Sequence, residues 1–323
     1  MNDLLSIRGL ETVFDTKRGT VKALRSLDLD IHKGETLALV GESGSGKSTL
    51  GLSIMRLIES PGRIAEGSII LHATEDVDVT SLKGGKLRRF RWKKVAMVFQ
   101  SAMNVLNPVM RIEDQFIDAL EAHDIDKSEI SGRIDHYLKL AGLGPKVRRL
   151  YPHELSGGMR QRVNIALALS CEPDLLIADE PTTALDVVVQ KEILKSLNTL
   201  KKQLGLTIIF ITHDISVAAS VADRMAIFYA GRIVEIGPKE EVINRPRHPY
   251  SKALLSSIIT LNTKRGQDLI SLKGNPPDLI TPIEGCSFHN RCPSARPECL
   301  KYKPVESLVS SDHYVECLYP IGE

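Results

Sequence analysis

The chain has few aromatic residues, almost no net charge and no long apolar segment. Aromatic residues make up 5% of its 323 residues, and 42 Lys+Arg face 40 Asp+Glu for a net charge of +2. This balance excludes the basic footprint of a nucleic-acid-binding domain, so we expect no nucleic-acid partner. No apolar run approaches the roughly 20 residues of a membrane span, and the first ten residues lack a secretory leader. We therefore expect a soluble chain that stays in the cytoplasm.

Basic residues do cluster once, between Lys83 and Lys94, where they alternate with Leu87, Phe90 and Trp92. A solvated amphipathic segment explains this cluster better than a site for a polyanion does.

Cysteine is scarce too, with five in the chain, and four of these lie close to its end. The four are Cys286, Cys292, Cys299 and Cys317. In a reducing compartment, four thiols in a loop-rich segment favour a metal site over disulfides. Their spacing matches neither a zinc ribbon nor the commonest ferredoxin pattern, which leaves the metal open. His289 and His313 lie in the same segment and are further candidate ligands, although loop histidines are more often solvated.

The most informative stretch is GESGSGKST, which follows the apolar run 36–40 and precedes a helical pattern. A glycine-rich turn between a strand and a helix directs backbone N–H groups at phosphate oxygens. Lys47 is placed to pair with the β- and γ-phosphates, and the Ser48 hydroxyl with Mg²⁺. We therefore predict a nucleoside triphosphate site whose loop residues are Gly41, Glu42, Ser43, Gly44, Ser45, Gly46, Lys47, Ser48 and Thr49.

A second buried apolar run, 175–178, ends in two carboxylates, Asp179 and Glu180. One acid can hold the Mg²⁺ shell while its neighbour polarises the attacking water. Strands alternate with helices around this point, which predicts a parallel sheet with functional residues at the carboxyl ends of its strands.

The remaining pattern predicts how the chain is organised. Residues 4–30 read as two antiparallel strands, residues 112–150 as a helical insertion, and the last clear helix lies near 250–259. We place a boundary near residue 238, between a nucleotide-binding domain with its helical subdomain at about 101–155 and a loop-rich extension at 239–323.

Six motifs in order resemble the ATP-binding subunits of ABC transporters. GESGSGKST resembles the Walker A motif, LSGGMRQR the family signature and LLIADE the Walker B motif. Gln100 corresponds to the Q-loop glutamine, Ala184-Leu185-Asp186 to the D-loop and His213 to the switch histidine. The resemblance implies an α/β P-loop NTPase fold, RecA-like, with an antiparallel β subdomain, a helical insertion and the small cysteine-containing extension.

The resemblance also implies a mechanism. Two ATPase subunits would close head to tail, each ATP lying between one Walker A loop and the opposite Ser156, Gly157 and Gly158. Glu180 would act as the base with His213, Gln100 and Asp186 as further catalytic residues. Ser48, Gln100 and Asp179 would hold Mg²⁺. Val21 stands at the position that corresponds to the adenine-stacking aromatic of the family, and Phe14 is the nearest aromatic.

The segment RPRHPYSKALL, which begins at Arg245, resembles the oligopeptide, dipeptide and nickel branch of ABC importers. That branch implies a [4Fe–4S] cluster on the four tail cysteines, in preference to zinc or two disulfides. It also implies two transmembrane permease subunits, a second ATPase subunit and an external solute-binding protein, with this chain at the cytoplasmic face of the membrane. Peptides are the default cargo, while nickel and oligosaccharides stay open.

Two other functional classes compete with the importer. A soluble ABC ATPase acting on DNA or ribosomes usually has two cassettes or long coiled-coil insertions, and this chain has neither. A scaffold for iron–sulfur assembly would account for the tail cysteines, but the HPY segment favours the importer.

Overall fold

The structure is a computed structural model that describes residues 2–73, 75–100, 105–183, 185–259 and 274–322. Contacts within the chain define two compact units. The central unit comprises Met1–Asn2, His32–Glu35 and Ser81–Phe210. The terminal unit, which contains most of both ends of the chain, comprises Asp3–Ile31, Thr36–Thr80 and Ile211–Glu323.

Strands and helices alternate through much of the described chain. The strands are β1 (Asp3–Thr16), β2 (Gly19–His32), β3 (Thr36–Val40), β4 (Gly62–His72), β5 (Asp76–Asp78), β6 (Val95–Val98), β7 (Leu175–Asp179), β8 (Thr207–Thr212), β9 (Arg224–Tyr229), β10 (Arg232–Pro238), β11 (Glu306–Ser310) and β12 (His313–Glu316). The helices are α1 (Lys47–Ile54), α2 (Gly84–Lys93), α3 (Ile112–Ala122), α4 (Lys127–Leu140), α5 (Gly157–Leu169), α6 (Val187–Leu204), α7 (Ile215–Val221), α8 (Lys239–Asn244), α9 (Pro249–Ile259) and α10 (Glu298–Lys301). Short 3₁₀ turns occur at Val79–Ser81, Pro145–Arg149, Pro152–Glu154 and His289–Arg291.

The terminal unit contains an antiparallel sheet in the order β2-β1-β4-β5. A second set of neighbouring strands runs β11-β12-β10-β9-β3. In that set β3 is parallel to β9, with Leu37 opposite Arg224 and Val40 opposite Ile227. All five residues of β3 are buried. This explains why residues 37–40 are all apolar and do not alternate with polar residues, because a parallel strand covered on both faces has no solvated side.

In the central unit, β6 and β7 pair in parallel from Val95 opposite Leu175 to Val98 opposite Ala178. The predicted helical insertion is present as α3 and α4. Ile112, Phe116 and Leu120 lie on one buried face of α3, as their spacing of four residues predicts. None of the helices in the described ranges is long and apolar enough to cross a membrane.

The tail of the chain contains more regular structure than the sequence pattern indicated. The hairpin β11–β12 follows residue 305, and β12 pairs with β10 through Val315 opposite Glu235. Phe288 and Tyr250 belong to the same apolar core as Val40 and Ile227. Residues on both sides of the predicted boundary at 238 therefore share a core within the terminal unit.

A buried carboxylate fixes the HPY segment to this core. Glu235 is 1% exposed. It accepts hydrogen bonds from the backbone N–H groups of Arg247 (2.8 Å) and His248 (2.9 Å). His313 Nε2 lies 2.7 Å from the same carboxylate. Burial lowers the pKa of His248 to about 4, so this histidine is neutral at physiological pH. One side chain thus ties together β10, the approach to α9, and β12.

Replacing Glu235 with alanine is expected to lower the free energy of unfolding by about 3 kcal/mol, because it leaves buried donors without an acceptor. Urea titration followed by circular dichroism measures the change. Glu240→Ala, at an exposed position on α8, is the matched control and is expected to change stability by less than about 0.5 kcal/mol. Equal stability of the two variants would contradict the role given to Glu235.

Candidate active site

The glycine-rich loop of the terminal unit connects β3 to α1 and closes around its own lysine. Lys47 Nζ donates to the carbonyl oxygens of Gly41 (2.8 Å) and Glu42 (2.9 Å). It also lies 3.2 Å from Ser45 Oγ. The side chain of Lys47 is buried, so its charge is held at the start of α1. This arrangement provides a fixed positive site for an anion.

Two glycines of the loop have no room for a side chain. Gly41 has a φ of 155°, and a Cβ there would collide with the carbonyl oxygen of Phe228. Gly46 has a φ of 108°, and a Cβ there would lie 2.7 Å from the carbonyl oxygen of Ala23. The tight turn into α1 therefore requires glycine at both positions.

The predicted carboxylate pair lies at the end of β7 in the central unit. Asp179 is 5% exposed. Glu180 adopts a left-handed backbone conformation with a φ of 47°, which is uncommon for a residue with a side chain and is typical of functional sites. Its Oε2 accepts hydrogen bonds from Gln100 Nε2 (2.7 Å) and from Thr183 Oγ1 (2.9 Å). The fold thus brings Gln100 and Glu180 together across 80 residues of sequence.

Thr183 is a contact of Glu180 that the sequence analysis missed. It lies three residues after Glu180, and its backbone N–H also bonds the Glu180 carbonyl oxygen at 3.2 Å. A spacing of three residues is typical of a turn, and it is the one feature of the sequence that indicates this contact.

The signature segment begins α5. Ser156 is its N-cap, and Ser156 Oγ accepts a hydrogen bond from the backbone N–H of Met159 at 3.2 Å. Gly158 lies against Val189 of α6, where an added Cβ would overlap the Val189 side chain. Gly157 and Gly158 thus occupy the first turn of a 13-residue helix, where free N–H groups can meet an anion.

Two further predicted residues, Asp186 and His213, lie at the ends of secondary-structure elements. Asp186 is the N-cap of α6, and its Oδ1 accepts from the backbone N–H groups of Val188 and Val189, both at 3.0 Å. Ala184 lies outside the described residues. His213 belongs to the terminal unit and immediately follows β8, and Asp214 caps α7. The loop residues 41–49 and His213 thus belong to the terminal unit, while Gln100, Ser156, Gly157, Gly158, Asp179, Glu180 and Asp186 belong to the central unit.

A cavity of about 650 Å³ in the terminal unit includes none of the loop residues 41–49 among those that line it. Two ion pairs contribute to its wall, Lys22 with Glu11 (3.0 Å) and Arg232 with Glu316 (2.7 Å). The glycine-rich loop, rather than this larger cavity, contains the residues suited to phosphate binding.

The four tail cysteines line one small cavity of about 20 Å³. None of the four is in a disulfide, and the backbone N–H of Cys286 donates to the carbonyl oxygen of Cys299 at 2.8 Å. Burial raises the pKa values of Cys286 and Cys292, and that of Cys317 to about 11. The thiols of these three cysteines are therefore protonated at neutral pH unless a cation replaces the protons.

Within the described parts of the chain, no group of three or more His, Cys, Asp or Glu side chains has the arrangement of a metal-ion site. His289 lines the cysteine cavity, whereas His313 is fully buried and bonds Glu235.

Comparisons with known proteins agree with this arrangement of motifs. A profile described as ABC transporter matches residues 24–183, and one described as the C-terminal region of oligopeptide/dipeptide transporters matches residues 234–299. The chain is 41% identical over 321 residues to the dipeptide transport ATP-binding protein DppD of Bacillus subtilis, covering 98% of this chain and 95% of that protein. It is 40% identical to the oligopeptide transport ATP-binding protein OppD of Escherichia coli, with 99% and 94% covered. The chain belongs to the oligopeptide and dipeptide family of ABC transporter ATP-binding proteins.

Solved structures of ABC cassettes share the fold. A dimeric bacterial ABC transporter cassette matches with a TM-score of 0.64 at 28% identity, covering 73% of this chain and 98% of that one. The cbiO1 protein of Clostridium perfringens, part of an ABC transporter complex, matches with a TM-score of 0.65 at 32% identity, covering 76% and 92%. The predicted family, the P-loop α/β fold with its antiparallel β subdomain, and the ATPase activity are confirmed for this ABC protein.

The role of Asp186 can be divided between helix capping and catalysis. Asp186→Ala is expected to lower the free energy of unfolding by about 1 kcal/mol, because α6 loses its N-cap. Asp186→Asn is expected to keep full stability, because asparagine caps equally well. Chemical denaturation of the two variants and of the unsubstituted protein measures this. Equal destabilisation by both substitutions would contradict the capping role.

Proposed function

We propose that this chain is the ATP-hydrolysing subunit of an importer of dipeptides and oligopeptides, acting at the cytoplasmic face of the membrane. The observation that carries the proposal is its similarity, over almost its whole length, to dipeptide and oligopeptide transport ATP-binding proteins, including their C-terminal region. We also propose the division predicted from the sequence, with a nucleotide-binding domain at 1–238 and an extension at 239–323.

The glycine-rich loop is proposed to bind the triphosphate of ATP. Backbone N–H groups of the loop 41–49 and the Lys47 ammonium would bind the phosphate oxygens, and the Ser48 hydroxyl, Gln100 and Asp179 would hold Mg²⁺. The hard oxygen donors of these three residues suit that ion. When bound, Mg²⁺ offsets the charge that develops on the phosphate oxygens.

Glu180 is proposed to be the general base. Its carboxylate accepts a proton from water as the water oxygen bonds to the γ-phosphorus, and the bond from the γ-phosphorus to the bridging oxygen breaks to leave ADP and phosphate. Gln100 and Thr183 orient this carboxylate through their hydrogen bonds to Oε2. His213 is proposed to stabilise the γ-phosphoryl group, with Asp186 at the same centre.

A second ATPase subunit is proposed to complete the site. The N-terminus of its α5 equivalent would meet the γ-phosphate held by this chain, while Ser156, Gly157 and Gly158 would meet the nucleotide of the partner. Val187 and Val188, beside Asp186, are 64% and 68% exposed, which suits a surface that a partner covers.

Two transmembrane permease subunits are proposed to receive the closure of this dimer through the helical subdomain at about 101–155. Val109 in this part of the chain is 80% exposed and Val105 is 51% exposed, which supports a contact surface there. An external solute-binding protein would deliver the peptide to the permeases.

The four tail cysteines are proposed to hold a [4Fe–4S] cluster. The chemistry of the donors supports this proposal, because four cysteines without disulfides line one cavity and thiolates are the ligands of such clusters. Nothing in the segment indicates a redox substrate, so its proposed role is structural.

Glu180→Gln tests the importer. In cells whose only copy of the chain carries this substitution, uptake of a radiolabelled oligopeptide is expected to fall to the background level, because the base is lost. A tagged variant is still expected to purify from native membranes in mild detergent with two permeases and a second ATPase, as mass spectrometry would show. The proposed cargo would be contradicted if peptide uptake were unchanged, or if the cells lost nickel or oligosaccharide uptake instead of peptide uptake.

Anaerobic purification tests the cluster. The protein is expected to be brown and to contain about four iron atoms per chain. Cys317→Ser is expected to lose the colour, while Cys171→Ser, at a buried cysteine of the central unit, is expected to keep it. Because cluster formation must displace protons from thiols of raised pKa, the colour is expected to be lost as the pH falls. A colourless protein containing zinc would refute the assignment.

A further inference from the structure

The phosphate-binding loop contains a carboxylate that is paired with the cysteine-rich tail. Arg291 binds Glu42 with both ends of its guanidinium, at 2.7 Å from Nη1 to Oε2 and 2.8 Å from Nη2 to Oε1. The Arg291 side chain is 4% exposed and that of Glu42 27% exposed. Two parallel charge-assisted hydrogen bonds at these lengths are among the strongest side-chain contacts that proteins form.

The extension also holds the backbone of the same residue. The N–H of Glu42 donates to the hydroxyl of Tyr250 at 3.1 Å. Tyr250 is fully buried in α9, and burial is the largest cause that raises the pKa of its hydroxyl. The hydroxyl is therefore neutral at physiological pH. Residues 250 and 291 together fix both the main chain and the side chain of Glu42.

An aromatic cluster holds Arg291 in place. The rings of Tyr229 and Tyr250 have centroids 4.7 Å apart, and that of Phe288 lies 5.2 Å and 5.3 Å from them. The Arg291 guanidinium lies over the Tyr229 ring at 5.7 Å. A guanidinium packed on an aromatic face loses little further freedom when it binds a carboxylate. The contact with Glu42 is therefore preformed in the folded chain.

Charge explains what this contact can do. Nucleoside triphosphates carry several negative charges, and a bare carboxylate in their binding loop repels them. Opposite charges in a bidentate pair largely cancel beyond their immediate neighbourhood. We propose that Arg291 is a positioning residue that neutralises Glu42 and thereby permits tight ATP binding, so that nucleotide affinity depends on the cysteine-rich segment.

The place of Arg291 in the chain makes this dependence direct. Arg291 ends the 3₁₀ turn His289–Arg291 and is followed immediately by Cys292. Backbone N–H groups of His289 and Arg291 donate to the carbonyl oxygens of Cys286 (3.2 Å) and Phe288 (2.9 Å). A change in the conformation of this turn displaces the guanidinium from Glu42. The contact between Arg291 and Glu42 requires that the cysteine-rich segment is folded, and it does not depend on which metal the cysteines bind.

The test is the dissociation constant of the non-hydrolysable ATP analogue AMP-PNP with Mg²⁺, measured by calorimetry on the full-length chain. Arg291→Gln is expected to raise this constant about tenfold at 50 mM KCl, with a smaller rise at 300 mM KCl because salt screens the partly exposed Glu42 charge. Arg291→Lys is expected to recover most of the affinity. Tyr250→Phe, which keeps the ring and removes the hydroxyl, is expected to weaken binding about threefold.

The decisive comparison is the double substitution Glu42→Gln with Arg291→Gln. Removing both charges is expected to restore the dissociation constant to within about threefold of the unsubstituted value, which a purely structural role would not allow. Arg296→Gln is the matched control, since Arg296 lies in the same segment over the Tyr319 ring at 4.0 Å. It is expected to leave binding unchanged.

Three results would overturn the proposal. They are unchanged binding by Arg291→Gln, a double variant that binds no more tightly than Arg291→Gln, and an Arg296→Gln variant that is weakened as much as Arg291→Gln. Melting temperatures of all variants, measured in parallel, show whether each remains folded.

Discussion

The phosphate-binding loop of the terminal unit depends on one constraint: its backbone N–H groups must lie just after the end of the buried strand β3. The strand β3 is buried along its whole length, so its backbone polar groups need partners within the fold, and the chain can present N–H groups to a ligand only after β3 ends. Gly41 and Gly46 make the turn possible, and Lys47 bonds the loop carbonyl groups. The chemistry of the loop is therefore a consequence of where the sheet stops.

Two glutamates of the terminal unit show how the tail is joined to this core. Glu235 is almost completely buried and is satisfied by two backbone donors and His313. Glu42 is partly exposed and is satisfied by a guanidinium. Both carboxylates have partners that lie after residue 238 in the chain. Burying a carboxylate without partners is strongly unfavourable, so these contacts connect the stability of the core with that of the extension.

Much of the fold could be predicted from the sequence because its signals are local. The strand, loop and helix around residues 36–54, the two carboxylates after β7 and the buried face of α3 all follow from spacing within a few residues. The hairpin β11–β12 could not be predicted in this way. β11 is mostly exposed, and β12 pairs with β10, which lies some eighty residues earlier in sequence. A strand whose pairing depends on a distant partner has little periodic signal of its own.

The family, the nucleotide chemistry and most of the residue types that this chemistry needs can be predicted from the sequence, because they depend on glycine, lysine, serine and carboxylate residues at fixed spacing. The partners of those residues depend on how the chain packs in three dimensions. Gln100 bonds Glu180 across 80 residues, and Arg291 bonds Glu42 across 249 residues. No periodicity records such contacts, since they arise from the packing of segments that are remote in sequence. The surroundings of each charge, and with them its affinity for a proton or a phosphate, are properties of the fold.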